Sequence, residues 1–386
     1  MTTTASDSPT ATNTLPLDGL LVVALEQAVA APVCSSRLRH GGARVIKIER
    51  STGDFARAYD SAAKGESSYF TWTNQGKESL TLDIKTDDDQ QLFHRLLSRA
   101  DVFIQNLAPG ALGKLDLDSE TLRQLYPRLI TCDISGYGES DAASHLKAYD
   151  LLVQAESGLV SISGGPGEPG RIGISLCDIG TGVTAHAAIL EALIKRGITG
   201  QGSGLKISLF DVAAEWMTVP YMHAAFGQGA PVRQGLHHPS IAPYGAYRTA
   251  DKVDTLLSIQ NEREWVQFCQ AVLHDSSIAT DPRFESNNQR INNREALDEK
   301  IYAAIGSLDA QQFRQRLVEG NIAYGGLNDV DDLLEHVALR QQTVHTTHGS
   351  ALAIPAHPWS TADHSNLRAP VLGEHSTAIR QEFSDG

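Results

Sequence analysis

The sequence predicts an α/β protein, with a large Rossmann-like domain built on a parallel sheet and a smaller α+β domain. From Leu20 onward, short β-branched or apolar runs alternate with longer amphipathic stretches, which is typical of parallel strands joined by helices. From about residue 227 the pattern changes to two short alternating runs, followed by helical stretches rich in Arg, Asn and Gln. A chain of 386 residues is long enough to form both domains.

The elements of the large domain follow one another in the order that this fold requires. A helix over 178–195 is indicated by apolar residues that recur on one helical face. A loop rich in glycine and proline lies between Ala155 and Gly173, and we expect it to border a binding site. The remaining predicted elements are strands over 19–25, 44–49, 80–83, 102–105, 129–134 and 205–210, helices over 88–100 and 119–126, and a β-hairpin over 243–260.

These elements divide the chain into four parts. The Thr- and Ser-rich residues 1–14 are predicted to be a disordered leader. Residues 15–226 form the predicted large domain and residues 227–330 the small domain. Residues 331–386, with scattered Pro and Gly, are expected to return to the large domain.

Composition excludes several classes of function. The formal net charge of -14 argues against nucleic acid or an anionic membrane as a partner, because both require a basic surface. No apolar stretch approaches the roughly 20 residues that span a bilayer, and the first residues do not resemble a secretory signal. The four cysteines, Cys34, Cys132, Cys177 and Cys269, lack metal-ligand spacing. We therefore expect a cytoplasmic protein without a metal site.

Common catalytic motifs are missing from the sequence. It has no GxGxxG fingerprint, GxSxG elbow, Walker loop or HExxH motif, so nicotinamide-enzyme, hydrolase, NTPase and zinc-protease functions have no support. Carboxylates in glycine-rich surroundings remain as candidate functional groups.

Asp178, in the run SLCDIGTG (175–182), is the main candidate because it lies where an apolar run gives way to a helix. One interpretation is structural: an N-cap aspartate accepts hydrogen bonds from the first turn. The functional interpretation uses the same position, since a helix N-terminus favours a carboxylate and the amides of 179–181 are available to an oxyanion. Gly180 and Gly182 are then expected to admit a substrate closely.

Seven runs resemble, in order, the class III CoA-transferase or CaiB/BaiF family. The resemblance covers nearly the whole chain after the leader, and the ordered set is far more specific than any single motif. The runs are LDGLLVVAL (17–25), GGARVIKIERSTGDFAR (41–57), NQGKESLTLDI (74–84), QNLAPGALGKL (105–115), LITCDISGYGESDAASHLKAYD (129–150), SLCDIGTG (175–182) and TGQGSGLKISLFDVAAEWM (199–217).

The resemblance implies an interlocked homodimer with a CoA site at the junction of the two domains. It implies acyl-CoA and a carboxylic acid as substrates, with no tightly bound cofactor. Asp178 matches the family's nucleophile, which attacks the acyl-CoA carbonyl to form an anhydride and then an enzyme-CoA thioester. Four residues match positions around CoA, although each alone is more typical of a solvated surface: Arg50, Asn106, Lys114 and Lys147. A family glutamine does not align with Gln27 without a gap.

Two adjacent residues bear on the reaction type. Asp150 matches a position where formyl-CoA transferases carry a glutamate, and a cap at the start of its own helix is an equally good interpretation. Members that racemise 2-methylacyl-CoA have a histidine where this chain has Tyr149. A tyrosine is a poorer proton shuttle than a histidine at neutral pH, which weakens the isomerase alternative.

The runs at 231–245, 259–265 and 283–294 resemble the branch that handles C4–C5 dicarboxylic acids such as mesaconate, itaconate, citramalate and succinate. Arg233 and His238 are candidates to pair with the distal carboxylate, and structural loop roles stay open for both. The predicted function is CoA transfer between carboxylic acids, or within one dicarboxylic acid. The alternatives are an isomerase of the racemase type and a CoA-binding protein without turnover.

Overall fold

A computed structural model describes residues 15–384 except 139, 141, 144–145, 228 and 360–366. The predicted leader, 1–14, lies outside the described residues. The chain divides into two compact units: the first runs to Ser157 and includes Ile172–Met217 and Arg340 onward, and the second comprises Gly158–Arg171 and Thr218–Leu339. The boundaries predicted from the sequence differ from these. They start the small domain at 227, end it at 330 and leave 158–171 in the large domain.

The helices and strands are numbered along the chain. The strands are β1 (Leu21–Leu25), β2 (Arg44–Glu49), β3 (Glu78–Thr81), β4 (Val102–Gln105), β5 (Ile130–Ser135), β6 (Gly204–Ser208), β7 (Tyr244–Arg248), β8 (Asp254–Ser258), β9 (Ala323–Gly326), β10 (Gln341–His345) and β11 (Ala351–Pro355). The helices are α1 (Ala30–His40), α2 (Ser68–Thr73), α3 (Asp87–Arg99), α4 (Ser119–Leu125), α5 (Asp150–Glu156), α6 (Leu159–Ile162), α7 (Leu176–Thr199), α8 (Leu209–Trp216), α9 (Thr218–Phe226), α10 (Glu262–Ala271), α11 (Asn287–Asn292), α12 (Arg294–Ile305), α13 (Ala310–Glu319), α14 (Val330–Leu334) and α15 (Ser376–Glu382).

The first unit is built on a parallel sheet of β1 to β6 in the order β3-β2-β1-β4-β5-β6. Phe93, Leu96 and Leu97 of α3 and Ile379 of α15 pack with Val23, Ile46 and Phe103 in one apolar cluster. Helices α1 and α7 pack against each other; α1 contacts β1, β2 and β4, and α7 contacts β5 and β6. The order reverses between β1 and β4, and such a switch point opens a crevice at the carboxyl ends of the strands.

The predicted parallel sheet is confirmed, although the bounds of some elements differ. Strand β3 forms at Glu78–Thr81 rather than at 80–83. Strand β6 stops at Ser208 rather than at residue 210, because the Ser208 hydroxyl accepts a hydrogen bond from the amide of Asp211 at 3.0 Å and starts helix α8 there. Helix α7 begins at Leu176, two residues before the predicted start, and ends at Thr199, where the C-cap Gly200 has a φ of 74°.

Helix α7 corrects the expectation that no segment is long and apolar enough to cross a membrane. Its 24 residues meet that test by length and composition, yet 44% of the apolar window is buried inside the protein. The helix packs against α1, α8 and β5, and Arg196 near its end forms a 2.9 Å ion pair with Asp101. We interpret α7 as the central core helix of the first unit.

Edge strand β3 is covered by residues 368–376. The amide of Gly76 donates to the carbonyl of Arg368 at 2.9 Å, and the amide of Thr81 donates to the hydroxyl of Ser376 at 3.0 Å. His375 makes two bonds with Ser79, one through its backbone amide and one through its imidazole Nδ1. These bonds occupy groups that an uncovered edge strand presents to other chains.

The second unit contains an antiparallel sheet in the order β7-β8-β9. The hairpin predicted over 243–260 is confirmed as β7 and β8, whereas β9 was missed because its residues, AYGG, lack an alternating apolar pattern. Residues of this sheet and of α10, α12 and α13 form a separate apolar core that includes Tyr247, Trp265, Phe268, Ile301 and Phe313.

A buried cluster of charges lies beside the carboxyl ends of β1 and β2. Lys47 contacts Asp54 at 2.9 Å and Glu26 at 3.5 Å, and Lys77 contacts Glu26 at 2.7 Å; all four side chains are fully buried. The Asp54 carboxylate also accepts from the amide of Ala28, which has a φ of 64° just after β1. The cluster therefore fixes the loop at the switch point.

Lys47→Met is expected to lower the free energy of unfolding by about 3–5 kcal/mol, because it leaves the carboxylates of Asp54 and Glu26 buried with one cation fewer. Urea denaturation at neutral pH measures the loss. The matched control is Lys195→Met at an exposed position of α7, where we expect little change. Equal losses for the two variants would contradict a structural role for the cluster.

Candidate active site

Asp178 lies in the first turn of α7 rather than at its N-cap, which corrects the N-cap interpretation. The N-cap is Ser175, and its side chain makes no capping hydrogen bond. Because the helix starts at Leu176, the amide of Ile179 already donates to the Ser175 carbonyl at 2.9 Å. The expected oxyanion donors at 179–181 therefore lie within the helix, and the amides without a partner inside α7 belong to residues 176–178, which bond to groups outside the helix.

Asp150 provides the cap of α7 from another helix. Its Oδ1 accepts from the amide of Cys177 at 2.8 Å and from the amide of Asp178 at 3.3 Å. Asp150 is the first residue of α5, where the N-cap, Tyr149, makes no side-chain cap bond. Asp150 is therefore a helix cap, as one of the two interpretations predicted, but its carboxylate caps α7 and not its own helix, α5.

The Asp178 carboxyl group is half-buried and makes no hydrogen bond within the described part of the chain. Burial, followed by the negative charge of Asp150, raises the pKa of Asp178 to about 7. A carboxyl group with this pKa is roughly half ionised at neutral pH and more basic than an ordinary aspartate. The neighbouring thiol does not compete as a nucleophile, since burial raises the pKa of Cys177 to about 12.

A cavity of about 520 Å³ in the first unit brings several predicted site residues together with Asp178. Asn106, Lys147 and Tyr149 line it, and so does Gln27, whose role the sequence left in doubt. Phe55 and Tyr59 form an aromatic wall that sequence reasoning missed, with their rings 5.7 Å apart. Burial, together with the charges of Asp54 and Asp178, raises the pKa of Tyr59 to about 12.

Gly180 and Gly182 serve helix packing rather than substrate approach. A Cβ at Gly180 would overlap the ring of Trp216, and a Cβ at Gly182 would overlap the carbonyl oxygen of Ala30. Glycine at these two positions lets α8 and α1 approach α7 closely. The space next to both glycines is filled by α8 and α1, so the expectation that they admit a substrate is wrong.

The predicted CoA-binding residues lie at different distances from this cavity. Asn106 links β1 and β4 at the switch point, donating to the carbonyl of Gln27 at 2.8 Å and accepting from its amide at 3.0 Å. Arg50 is exposed and lines a second cavity, of about 530 Å³, which shares Gln27 and Leu107 with the Asp178 cavity. Lys114 is exposed and lines neither.

Arg233 and His238 lie in the second unit. Arg233 donates to the carbonyls of Ser161 at 3.0 Å and Gly165 at 3.2 Å, so part of its guanidinium holds the glycine-rich segment. His238 lines a cavity of about 670 Å³. Its Nδ1 accepts from the amide of Ser240 at 3.1 Å, which makes Nε2 the proton-bearing nitrogen of the neutral ring.

The family model for CoA-transferase family III matches residues 17–376. This chain belongs to that family. It is 32% identical over 378 residues to acetyl-CoA:oxalate CoA-transferase of Acetobacter aceti, with 96% of each chain covered. It is 31% identical over 390 residues to succinyl-CoA:mesaconate CoA-transferase of Haloarcula hispanica, covering 96% of this chain and 97% of the relative. The solved structure of a CaiB/BaiF family protein from Brucella suis matches with a TM-score of 0.78 at 31% identity, covering 96% of this chain and all of the other.

Family membership confirms the resemblance seen in the sequence, and it makes the chain an enzyme that uses CoA thioesters as substrates.

The site contains a residue that no motif indicated. Gln154 is fully buried and bonds the Asp150 carboxylate at 2.7 Å. A lone glutamine in an amphipathic helix carries no sequence signal that separates it from a surface residue.

Asp178→Asn is expected to raise the free energy of unfolding relative to the unsubstituted protein at about pH 8, with a gain that shrinks toward pH 4. Between the ordinary value of 3.8 and about 7, folded Asp178 holds a proton that the unfolded chain releases. Stability therefore falls as pH rises through this window, and asparagine removes the loss. Urea titrations at several pH values measure the difference in free energy of unfolding between the variant and the unsubstituted protein.

The control for this experiment is Asp331→Asn, which changes an exposed carboxylate in the first turn of α14. We expect no comparable rise in relative stability with pH for that variant. A gain for Asp178→Asn that stays constant from pH 4 to pH 8 would contradict a raised pKa for Asp178.

Proposed function

We propose that this enzyme transfers CoA between carboxylic acids, with Asp178 as the covalent nucleophile. The observation that carries the proposal is the state of the Asp178 carboxyl group. It lines a cavity, makes no hydrogen bond to the described residues and has its pKa raised to about 7 by burial and by Asp150. A carboxylate that is poorly stabilised as an anion is a better nucleophile than a solvated one.

The reaction follows from this group in four exchanges. The Asp178 carboxylate attacks the thioester carbonyl of the donor, the C–S bond breaks, and an aspartyl-acyl anhydride and CoA thiolate result. The thiolate attacks the aspartyl carbonyl, releasing the first carboxylate and leaving an aspartyl-CoA thioester. The acceptor carboxylate displaces the thiolate to form a second anhydride. The thiolate then attacks the acceptor's acyl carbon, which regenerates Asp178. Each step exchanges one acyl bond for another, without an added oxidant or reductant.

The cavity geometry supports a CoA site around the switch point. Lys147 and Asn106 line the Asp178 cavity, and Arg50 lines the adjoining one. We propose that these residues, with Lys114 further along the surface, bind the polar parts of CoA. Local cations of this kind are needed because the chain as a whole is acidic and its ligand carries phosphates.

The proposed acceptors and donors are short dicarboxylic acids and their thioesters. The two relatives above are named for oxalate and mesaconate. Arg233 and His238 are the proposed partners of the distal carboxylate. In the described part of the chain Nη2 of Arg233 makes no hydrogen bond, and the tautomer assigned to His238 leaves its Nε2–H as a donor.

A cytoplasmic homodimer is proposed as the working state. Ile194 and Ile198 of α7 are 67% and 82% exposed, and on α9 Tyr221 and Phe226 are 65% and 81% exposed. Apolar surface of this extent is typical of an interface with another chain. The four cysteines are all free and buried, which fits a reducing compartment.

Incubation with succinyl-CoA and a panel of free acids is expected to yield new thioesters of oxalate, mesaconate, itaconate, citramalate or glutarate, and little formyl-CoA from formate. Mass spectrometry follows the products, and a parallel reaction in deuterated water tests for proton exchange next to the thioester. New acyl-CoA without deuterium supports transfer. Deuterium uptake without a new thioester would instead favour the isomerase, with Tyr149 as an unexpected acid or base.

Asp178→Ala is expected to lower the transfer rate by several orders of magnitude, as the loss of a covalent nucleophile does, while CoA still binds. Stopped assays measure the rate, and calorimetry measures CoA binding. Asp331→Ala, at an exposed first-turn aspartate of α14, serves as the matched control and should transfer CoA at the unsubstituted rate. Transfer by Asp178→Ala within about tenfold of normal would rule out the covalent mechanism.

A further inference from the structure

Gln154 is the third residue from the end of α5, and its side chain is fully buried. Its Oε1 accepts from the amide of Ile172 at 2.9 Å. Its Nε2 donates to Oδ2 of Asp150 at 2.7 Å and lies 3.3 Å from the carbonyls of Ile172 and Ile174. The amide of one side chain thus joins α5 to the segment that leads into α7.

These bonds continue directly to the proposed nucleophile. Asp150 receives Gln154 on Oδ2 and the amides of Cys177 and Asp178 on Oδ1. Both carboxylate oxygens are therefore held from opposite sides, one by a buried side chain and the other by the start of α7. A carboxylate held on one oxygen alone rotates about its Cβ–Cγ bond, whereas bonds to both oxygens fix its plane.

We propose that Gln154 is a positioning residue for CoA transfer: by orienting the Asp150 carboxylate it holds the first turn of α7 and thus the attack position of Asp178. This inference rests on the proposed function and deepens it, because it assigns part of the control of the nucleophile to a residue that touches neither substrate nor the reacting atoms. Displacements of about 1 Å at a reacting group cost on the order of 100-fold in rate.

Gln154→Glu tests the proposal through pH. A protonated glutamic acid keeps an oxygen that accepts from the amide of Ile172 and a hydroxyl that donates to Asp150, and it lacks only the second N–H near the carbonyls of Ile172 and Ile174. The ionised form has no donor and places a negative charge against the Asp150 carboxylate. The ratio of the variant's kcat to that of the unsubstituted enzyme should be near one at about pH 6 and fall at least about tenfold by pH 9, with KM for acyl-CoA nearly unchanged.

Two further variants separate positioning from simple loss of stability. Gln154→Leu removes the donor at every pH, so its kcat should be low throughout, without the recovery at low pH. Gln75→Glu makes the same substitution at an equally buried glutamine, which bonds the carbonyls of Thr71 and His345. Gln75→Glu should lower the melting temperature and leave the shape of the kcat profile as in the unsubstituted enzyme.

The outcomes separate this inference from the proposed function. Hydroxylamine or borohydride trapping, followed by peptide mass spectrometry, reports the acyl or CoA adduct on Asp178 in the unsubstituted enzyme. If no adduct forms there, the covalent mechanism fails and this inference with it. If the adduct forms and Gln154→Glu keeps a constant kcat ratio from pH 6 to pH 9, the positioning role alone is overturned. Should Gln154→Glu fail to fold, a Gln154→Leu variant with normal kcat overturns it equally.

Discussion

The capping of α7 by a carboxylate from α5 is the constraint on which the site depends. A helix leaves its first amides without partners, and α7 has no cap from its own N-cap side chain, Ser175. Asp150 satisfies two of these amides, and its charge simultaneously makes the neighbouring Asp178 harder to ionise. The Asp150 carboxylate therefore both caps the N-terminus of α7 and raises the pKa of Asp178, the group proposed to react.

The second requirement is a rigid crevice at the carboxyl ends of β1 and β4. Asn106 joins the two strand ends through the backbone of Gln27, and the buried Lys47–Asp54 pair holds the next residue, Ala28, in a left-handed conformation. A buried ion pair of this kind is costly to break, because either partner alone would remain as an uncompensated buried charge. Gln27 and Ala28 of this fixed loop line the Asp178 cavity, so buried contacts hold part of the cavity wall in place.

Much of the first unit was predictable from sequence, because buried parallel strands appear as continuous apolar runs bounded by glycine and charge. The sequence placed Asp178 near the start of a helix but at its N-cap rather than in its first turn. The cap from Asp150 was not predictable, since Asp150 lies 28 residues earlier and periodicity gives no tertiary partner. Strand β9 and the placement of 158–171 in the second unit were missed for the same reason. Neither segment has an apolar pattern, and each is fixed by neighbours that are distant in sequence.

The cover on strand β3 has a consequence for synthesis. Residues 368–376, which satisfy Gly76, Ser79 and Thr81, leave the ribosome almost 300 residues after the strand itself. During that interval the nascent sheet has an open edge, which is a template for pairing with other chains. Completion of this domain is therefore a late event in synthesis, and a nascent chain that stops before residue 368 leaves that edge uncovered.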